Sequence, residues 1–469
     1  MEAMRQGVRI GVAQVIAAAL ALAGPAEAAP LVWSRPQTFD PAKPHLGLPV
    51  LAGVTSRVLY APLPSAAEQT GCYESVKHGT YSHHQTFVRS GEWLLVQWTQ
   101  HAGDENGPGQ RLLVKAGRIK PDRSDVDWGG DETLSELCPP AQPVRRRRSV
   151  DDNTAIDSVF LSGGLETLED GRMFLTVRLK VCDGWTDDVR YHDGAGLEAP
   201  VPDERYRAGR TTVEGRRYRW DLYWHVGRYM RQVAVDGRGA VWPAGPMYRI
   251  GRPPPEVLRV TPSIAKPLLP LNEPFRSAMP LESAPQEIRT AYAEGRRVPR
   301  CGRSPRYAPG TSKLAENGKN GLAHQTEFVR PDGSWVAVRD NLLDTATYYA
   351  AVKGRAEDVY PPARVTNLFG TAMPVAGELP GGAVWLIGSN GARTETYLTL
   401  SKDGVRFEKT WSLLSMNHTG SPGVCKGDGG AQYFQAVTLG PNIWVVYSIA
   451  KEQIGLTKIP VALLERQMR

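Results

Sequence analysis

The feature that most constrains this chain is a string that occurs twice. His84-Gln85-Thr86-Phe87-Val88-Arg89 leads through Ser90-Gly91 into Glu92-Trp93-Leu94-Leu95-Val96-Gln97-Trp98. Far downstream, His324-Gln325-Thr326-Glu327-Phe328-Val329-Arg330 leads through Pro331-Asp332-Gly333 into Ser334-Trp335-Val336-Ala337-Val338-Arg339. Each copy reads as a β-hairpin: an extended run, a glycine turn and an apolar return strand. Looser copies lie between and beyond. Glu166 to Gly171 precedes Arg172 to Val177, Val233 to Gly239 precedes Ala240-Val241-Trp242, Gly377 to Gly382 precedes Ala383 to Ile387, and Gln435 to Asn442 precedes Ile443 to Tyr447. A few-stranded unit repeated along a chain means a solenoid or a ring. A ring suits hairpins of this kind, because radial repetition leaves only short, protected edges. The expected fold class is all-β: a β-propeller of six or seven blades, one ring domain spanning residues 29–469. The 48 Gly and 37 Pro among 469 residues exceed average usage of about 7% and 5% and speak for many turns. Residues 251–285 are rich in proline and read as a long crossing between blades.

The first 28 residues read as an address. Arg5 and Arg9 precede an apolar stretch from Ile10 to Ala23, and Ala26-Glu27-Ala28 is a small-x-small cleavage site. This is the pattern of a Sec-type signal peptide, which places the mature chain in the periplasm or outside the cell. No other apolar run approaches the roughly 20 residues of a membrane span. The five cysteines, Cys72, Cys138, Cys182, Cys301 and Cys425, are odd in number, and they form no C-x-x-C, so zinc-ribbon and redox motifs lack support. The formal net charge of +7 favours acidic partners. For a secreted chain an anionic polysaccharide suits better than nucleic acid. Arg145 to Arg148, between prolines and Asp151-Asp152, read as a solvated loop. No regular metal-ligand spacing occurs. No cofactor is expected, a structural divalent cation in the ring being the one addition left open, and the chain is expected to be a monomer.

The richest polar segment holds His78, Tyr81, His83, His84, His101, Asp104, Glu105, Gln110 and Arg111. A hairpin turning near Gly91 brings His83 or His84 close to His101 at the mouth of the ring. Strand alternation puts His83 and His84 on opposite faces. His84 is preferred as the site residue, since His324 repeats it, with His83 kept as a substrate contact. The repetition fits a structural blade residue equally well. Histidine takes a proton near neutral pH, tyrosine gives or takes one, and arginine grips a carboxylate by two parallel bonds. These are the parts that β-elimination at a uronate needs, with His84 or His101 as base, Tyr81 as acid or second base and Arg111 as clamp. Tyr218, Trp220, Tyr223, Trp224, His225 and Tyr229 run among arginines, as a sugar-stacking surface or as packing. Asp104 and Glu105 read as a solvated loop.

One segment resembles a known family. Leu398-Thr399-Leu400-Ser401-Lys402-Asp403-Gly404-Val405-Arg406-Phe407 resembles an Asp-box turn, with Gly404 directly after Asp403. From about Gly321 to Leu464 the chain resembles the C-terminal half of bacterial sialidase-like BNR proteins. The match rests on Tyr433-Phe434-Gln435-Ala436, Trp444 to Ser448, Lys451-Glu452-Gln453-Ile454 and Lys458-Ile459-Pro460. Asn106 to Arg111 is similar to a further string of those proteins. The resemblance implies a carbohydrate-active propeller in which Asp403 is structural. It also implies an alternative to the lyase, a sialidase-type exo-glycosidase using Arg111, Arg339 and Arg393 on the substrate with Tyr433. The use of His, Tyr and Arg is similar to that of propeller lyases acting on ulvan and on rhamnose–glucuronate linkages. A glycan-binding propeller without catalysis is the third expectation.

Overall fold

The computed structural model describes residues 39–40, 42–61, 81–101, 110–139, 156–185, 191–192, 198–199, 210–213, 216–251, 273–298, 322–341, 347–370, 373–391, 393–416 and 430–469. The signal-peptide segment, the Arg145 to Arg148 cluster, His78, Asp104, Glu105, Cys72, Cys301 and Cys425 lie outside them.

The first strand, β1 (Thr55–Tyr60), waits for a partner from the other end of the chain. Next, β2 (Tyr81–Ser90), β3 (Trp93–His101) and β4 (Arg111–Ile119) fold back on one another, and β5 (Val126–Asp127) and β6 (Leu134–Cys138) both add to β4. The second sheet starts with β7 (Ile156–Thr167) and β8 (Met173–Trp185). A ribbon of β9 (Tyr191–His192) and β10 (Glu198–Ala199) follows, then β11 (Arg210–Val213). The long β12 (Arg216–Val235) pairs with β8 and carries β11, β13 (Val241–Pro243) and β14 (Tyr248–Ile250), with β15 (Met279–Pro280) beside β14. The third sheet is the meander β16 (Leu322–Val329), β17 (Trp335–Asn341), β18 (Thr347–Lys353), β19 (Arg364–Phe369). The fourth is β20 (Val375–Glu378), β21 (Val384–Ser389), β22 (Glu395–Ser401), β23 (Phe407–Ser415). The fifth runs β24 (Ala431–Leu439), β25 (Asn442–Ile449), β26 (Gln453–Pro460), and its fourth strand is β1. Helices are few: α1 (Gln286–Glu294) and α2 (Val461–Met468) are the α-helices of the described residues. No helix among the described residues is long and apolar enough to cross a membrane.

All six hairpins of the sequence form, but two of them share a sheet. The turn between Thr167 and Met173 opens sheet two, and the turn between Val235 and Val241 lies further out in the same sheet, where Trp242 faces Ala234. Five propeller sheets therefore arise among the described residues, against the six or seven blades expected. Of the proline-rich crossing, Met279–Pro280 pairs parallel to β14, so that part extends sheet two.

The apolar runs are sandwiched, not half-exposed. In Trp93-Leu94-Leu95-Val96, Leu94 and Val96 pack with Val437, Trp444 and Val446 of sheet five. Trp93 and Leu95 pack with Leu175 and Val177 of sheet two. A strand with a sheet on each side must be apolar on both faces, which is why these second strands lack polar alternation. Each fully buried side chain of this size contributes about 1.5–3 kcal/mol. Similar clusters join sheet five to four and sheet four to three. The first strand of each sheet lines the axis: β2 lies against β7 and β24, and β20 lies against β24 and β16. Between sheets two and three, no apolar cluster of the described residues spans the gap. The face of sheet two that looks that way is covered in part by α1, through Phe174, Met230, Ala291 and Tyr292.

The N-terminal segment fastens the ring. Phe39 stacks on Phe369 with centroids 4.1 Å apart. Leu51 N donates to Ser412 O and Ser412 N to Pro49 O. Then β1 pairs antiparallel with β26, Thr55 opposite Lys458.

Candidate functional site

Three axis-lining strands carry the same irregularity. The β2–β3 register shifts between His83 and Thr86, the β16–β17 register between Leu322 and Gln325, and the β24–β25 register between Gln432 and Gln435. Each is a bulge in which the inner strand gains one residue on its partner, and bulges re-aim side chains. In β2 and β24 the first bulged residue is left-handed: His84 has φ 54° and Tyr433 φ 58°. A side chain in that region costs about 1–3 kcal/mol, which the surroundings must over-determine.

They do so from the preceding blade. The turn after β21 places Arg393, itself at φ 59°, so that its carbonyl accepts Ala431 N at 3.1 Å. Arg393 Nη1 also donates to Gln432 Oε1 at 2.5 Å. One sheet on, the turn after β25 places Lys451, also at φ 59°, so that its carbonyl accepts Ser82 N at 2.7 Å. Gly430 is required here, because a Cβ would stand 1.5 Å from Arg393 O. Gln85 ties the two bulges together, its Nε2 donating to Gln432 O at 3.0 Å and to Tyr433 O at 2.5 Å.

The result is a cluster of rings between sheets one and five. Tyr433 meets His83 edge-on at 4.0 Å and His84 at 5.3 Å, and the two histidine rings are 4.7 Å apart. Simple alternation would have parted His83 from His84, and the bulge cancels it. His83 is fully buried with Nδ1 at 2.7 Å from Ser448 Oγ. His84, Gln85, Thr86, Tyr433 and Gln435 line a cavity of about 370 Å³. Its far side is sheet two: Gly163 to Glu166, Thr176, Arg178 and Arg228, with Tyr292 of α1 and Met373. Gly164 makes the span open, since a Cβ there would meet nothing within 4 Å.

Of the residues expected from sequence, His84 and Tyr433 line this cavity and His83 backs them. Tyr81 is buried beside His83, ring centroids 5.8 Å apart. His101 faces Tyr81 across β2–β3, and its side chain lies outside the described ones. Arg111 is two strands out, with Nε on Gln100 Oε1 at 2.6 Å and Nη1 on Glu136 Oε2 at 3.1 Å. Arg339 is buried on β17 opposite Gln325 and Tyr349. Arg111 and Arg339 sit on strands of two different sheets and Arg393 in a turn of a third, and none of the three lines the cavity. The side chains of the Tyr218 to His225 run lie outside the described ones, and Tyr229 is core, its hydroxyl pushed up to about 12 by burial. No group of three or more His, Cys, Asp or Glu arranged for a metal ion occurs among the described residues.

Arg178 and Glu166 also line the cavity although the sequence did not mark them as site candidates, whereas Arg228 stands among the arginines of the aromatic run that suit an anionic chain. A signal was present. Gly163-Gly164 inside a strand marks a close approach or an opening, and Arg178 is the one charged residue between Phe174 and Leu179. Glu166 Oε2 accepts from Arg297 Nε at 3.2 Å.

No protein-family model matches the chain, and no curated protein matches it by sequence. Solved structures do. A sialidase is similar at TM-score 0.55 and 15% identity, over 92% of this chain and 35% of that one. The chain thus spans about a third of that protein's length. A Trypanosoma rangeli sialidase in complex with the inhibitor DANA is similar at TM-score 0.39 and 8% identity, over 89% of this chain and 61% of that one. A Penicillium chrysogenum α-L-arabinanase complexed with arabinobiose is similar at 0.35 and 9%, over 87% and 98%. At such identities likeness speaks for fold alone, and the first of these comparisons, joined to five sheets around one axis, makes the fold a sialidase-like β-propeller.

Proposed function

We propose that this protein is a secreted carbohydrate-active enzyme that cleaves an acidic glycan by β-elimination at a uronate. The carrying observation is the meeting of His84 and Tyr433, two left-handed bulge residues from adjacent blades, at one cavity. Two strained residues aimed at the same space are a costly arrangement that packing alone does not need. Neutral His84 takes the proton from C5 of the uronate. The electron pair forms the C4=C5 bond, the C4–O bond breaks, and the Tyr433 hydroxyl gives its proton to the leaving oxygen. The two side chains then exchange protons with solvent to reset. The positive wall of Arg178 and Arg228 favours an acidic chain over a neutral one. Export follows from the signal-peptide pattern of residues 1–28, and the likeness to a sialidase supports a carbohydrate ligand.

A second reading, a sialidase-type glycosidase, is favoured by Tyr433 alone, which lines the cavity as a nucleophile would. Its weakness is the carboxylate: among the described lining residues Glu166 is the only one, and it is held by Arg297.

The test is ultraviolet absorbance of the unsaturated product across a panel of uronate-containing polysaccharides. The wild type is expected to produce it. His84→Asn and Tyr433→Phe are expected to lose about 10²–10⁴-fold in rate, the usual worth of a positioned proton-transfer group. Release of reducing sugar without absorbance would transfer the assignment to the glycosidase. Retention on the glycan with no product would leave a binding propeller.

A further inference from the structure

Arg178 on β8 and Arg228 on β12 are directly opposite each other in the sheet, and both are exposed at the cavity wall. Opposed residues on neighbouring strands have Cβ atoms about 4.5–5.5 Å apart, and like charges there repel. Among the described residues no carboxylate pairs with either guanidinium, while Glu166, the one acid among the described lining residues, is taken by Arg297. On the strand in front of them Gly164, opposite Thr176, bears no side chain, and a Cβ there would meet nothing within 4 Å, so the cavity is open at this point. A repulsive pair behind an opening is stable when an anion bridges it. One guanidinium fork already satisfies a planar carboxylate. Two forks carried at opposed positions of neighbouring strands and lining one cavity suit a group with three terminal oxygens set tetrahedrally.

We propose that Arg178 and Arg228 form a subsite for a tetrahedral oxyanion carried by the sugar, a sulfate half-ester or a phosphate monoester. The group belongs to a unit beside the one held by His84 and Tyr433. This deepens the acidic-glycan reading and rests on it for the sugar, not for the anion.

Calorimetry of the mature protein with glucose 6-sulfate, glucose 6-phosphate, glucuronate and glucose tests it. At least one ester is expected to bind ten-fold or more tightly than glucuronate and glucose, and the tighter ester names the substituent. Arg178→Gln with Arg228→Gln is expected to weaken that ester ten-fold or more. Gly164→Leu, which closes the opening without a clash at its Cβ, is expected to do the same while both arginines remain, so the test survives a poorly folded double variant. Esters that bind no better than glucuronate, or that bind both variants as they bind the wild type, would overturn the subsite. Binding is read without turnover. An inactive protein that binds the ester keeps the subsite and loses the elimination, and an active protein indifferent to these substitutions does the reverse.

Discussion

Gln85 shows how much of the site hangs on single side chains. It reaches from β2 across the seam to two carbonyls of β24, Gln432 O and Tyr433 O, and is itself buried. Gln85→Leu fills similar space and removes both donations. The expected result is a loss of about 1–3 kcal/mol, the cost of leaving buried polar groups without a donor, read as a lower thermal midpoint. Activity should fall through kcat more than KM, because Tyr433 loses its aim while the substrate wall stays intact. An unchanged kcat would remove Gln85 from the positioning of Tyr433. At this scale sequence was an uneven guide. His84 was legible from a repeated strand start and Tyr433 from the resemblance of Tyr433-Phe434-Gln435-Ala436 to sialidase-like proteins. Their left-handed conformation was not, because a bulge is a property of two strands and no local signal marked it. Arg111 looked like a clamp because it is charged and near the histidines along the chain. Its bonds to Gln100 and Glu136 belong to neighbours that only the sheet brings up.

Turns are where the elements declare themselves. Asp332 Oδ1 accepts Ser334 N and Oγ at 2.9 and 2.7 Å, and Asp403 Oδ1 accepts Val405 N and Arg406 N at 2.8 Å. Asp403 also takes the Ser401 hydroxyl at 2.9 Å. The hydroxyl and amide of Ser334 hold the Asp332 carboxyl below its ordinary range. Partial burial pushes Asp403 up, and the amides of Arg406 and Val405 with the Ser401 hydroxyl outweigh it, so it too ends below that range. A carboxylate depressed on folding contributes stability above its unfolded pKa of about 3.9, and loses it as pH falls through the folded value. The double variant Asp332→Asn, Asp403→Asn should therefore melt below the wild type at pH 6. The gap should narrow as pH drops below about 4. A gap that stays constant down to pH 3 would show that the charges of these turns do not matter. Hairpins of this kind were the most readable part of the chain, since glycine, aspartate and alternating apolar residues are local signals. Sheet membership was not readable. Trp242 follows a turn that looks like the others, yet β13 joins β12 at the far side of a sheet begun at Ile156, because the twenty-residue β12 can hold several partners at once.

Among the described residues the last sheet of the ring is finished by the first strand. The pairing of β1 with β26, the stacking of Phe39 on Phe369 and the bonds of Ser412 to Pro49 and Leu51 all tie one short stretch to sheets three, four and five. Removing residues up to 60 should leave Leu456 and Ile454 short of cover on the outer edge of sheet five and expose an unpaired strand. The expected outcome is a large fall in thermal midpoint with new self-association by light scattering. A truncated chain that melts as the intact one would show that closure is dispensable. The ring itself was legible from a string repeated at His84 and His324. The N-terminal strand was not, since Thr55 to Tyr60 carries no glycine turn and no tryptophan to link it with sheets whose other members lie beyond residue 430.

That closure also sets an order of events. Thr55 is made long before Lys458, which it faces. Until then the growing polypeptide holds at most an open arc, and the strand that must shut it has no edge to dock on. Here the lock and its key lie far apart in the message, and the clasp can close only once both have been made.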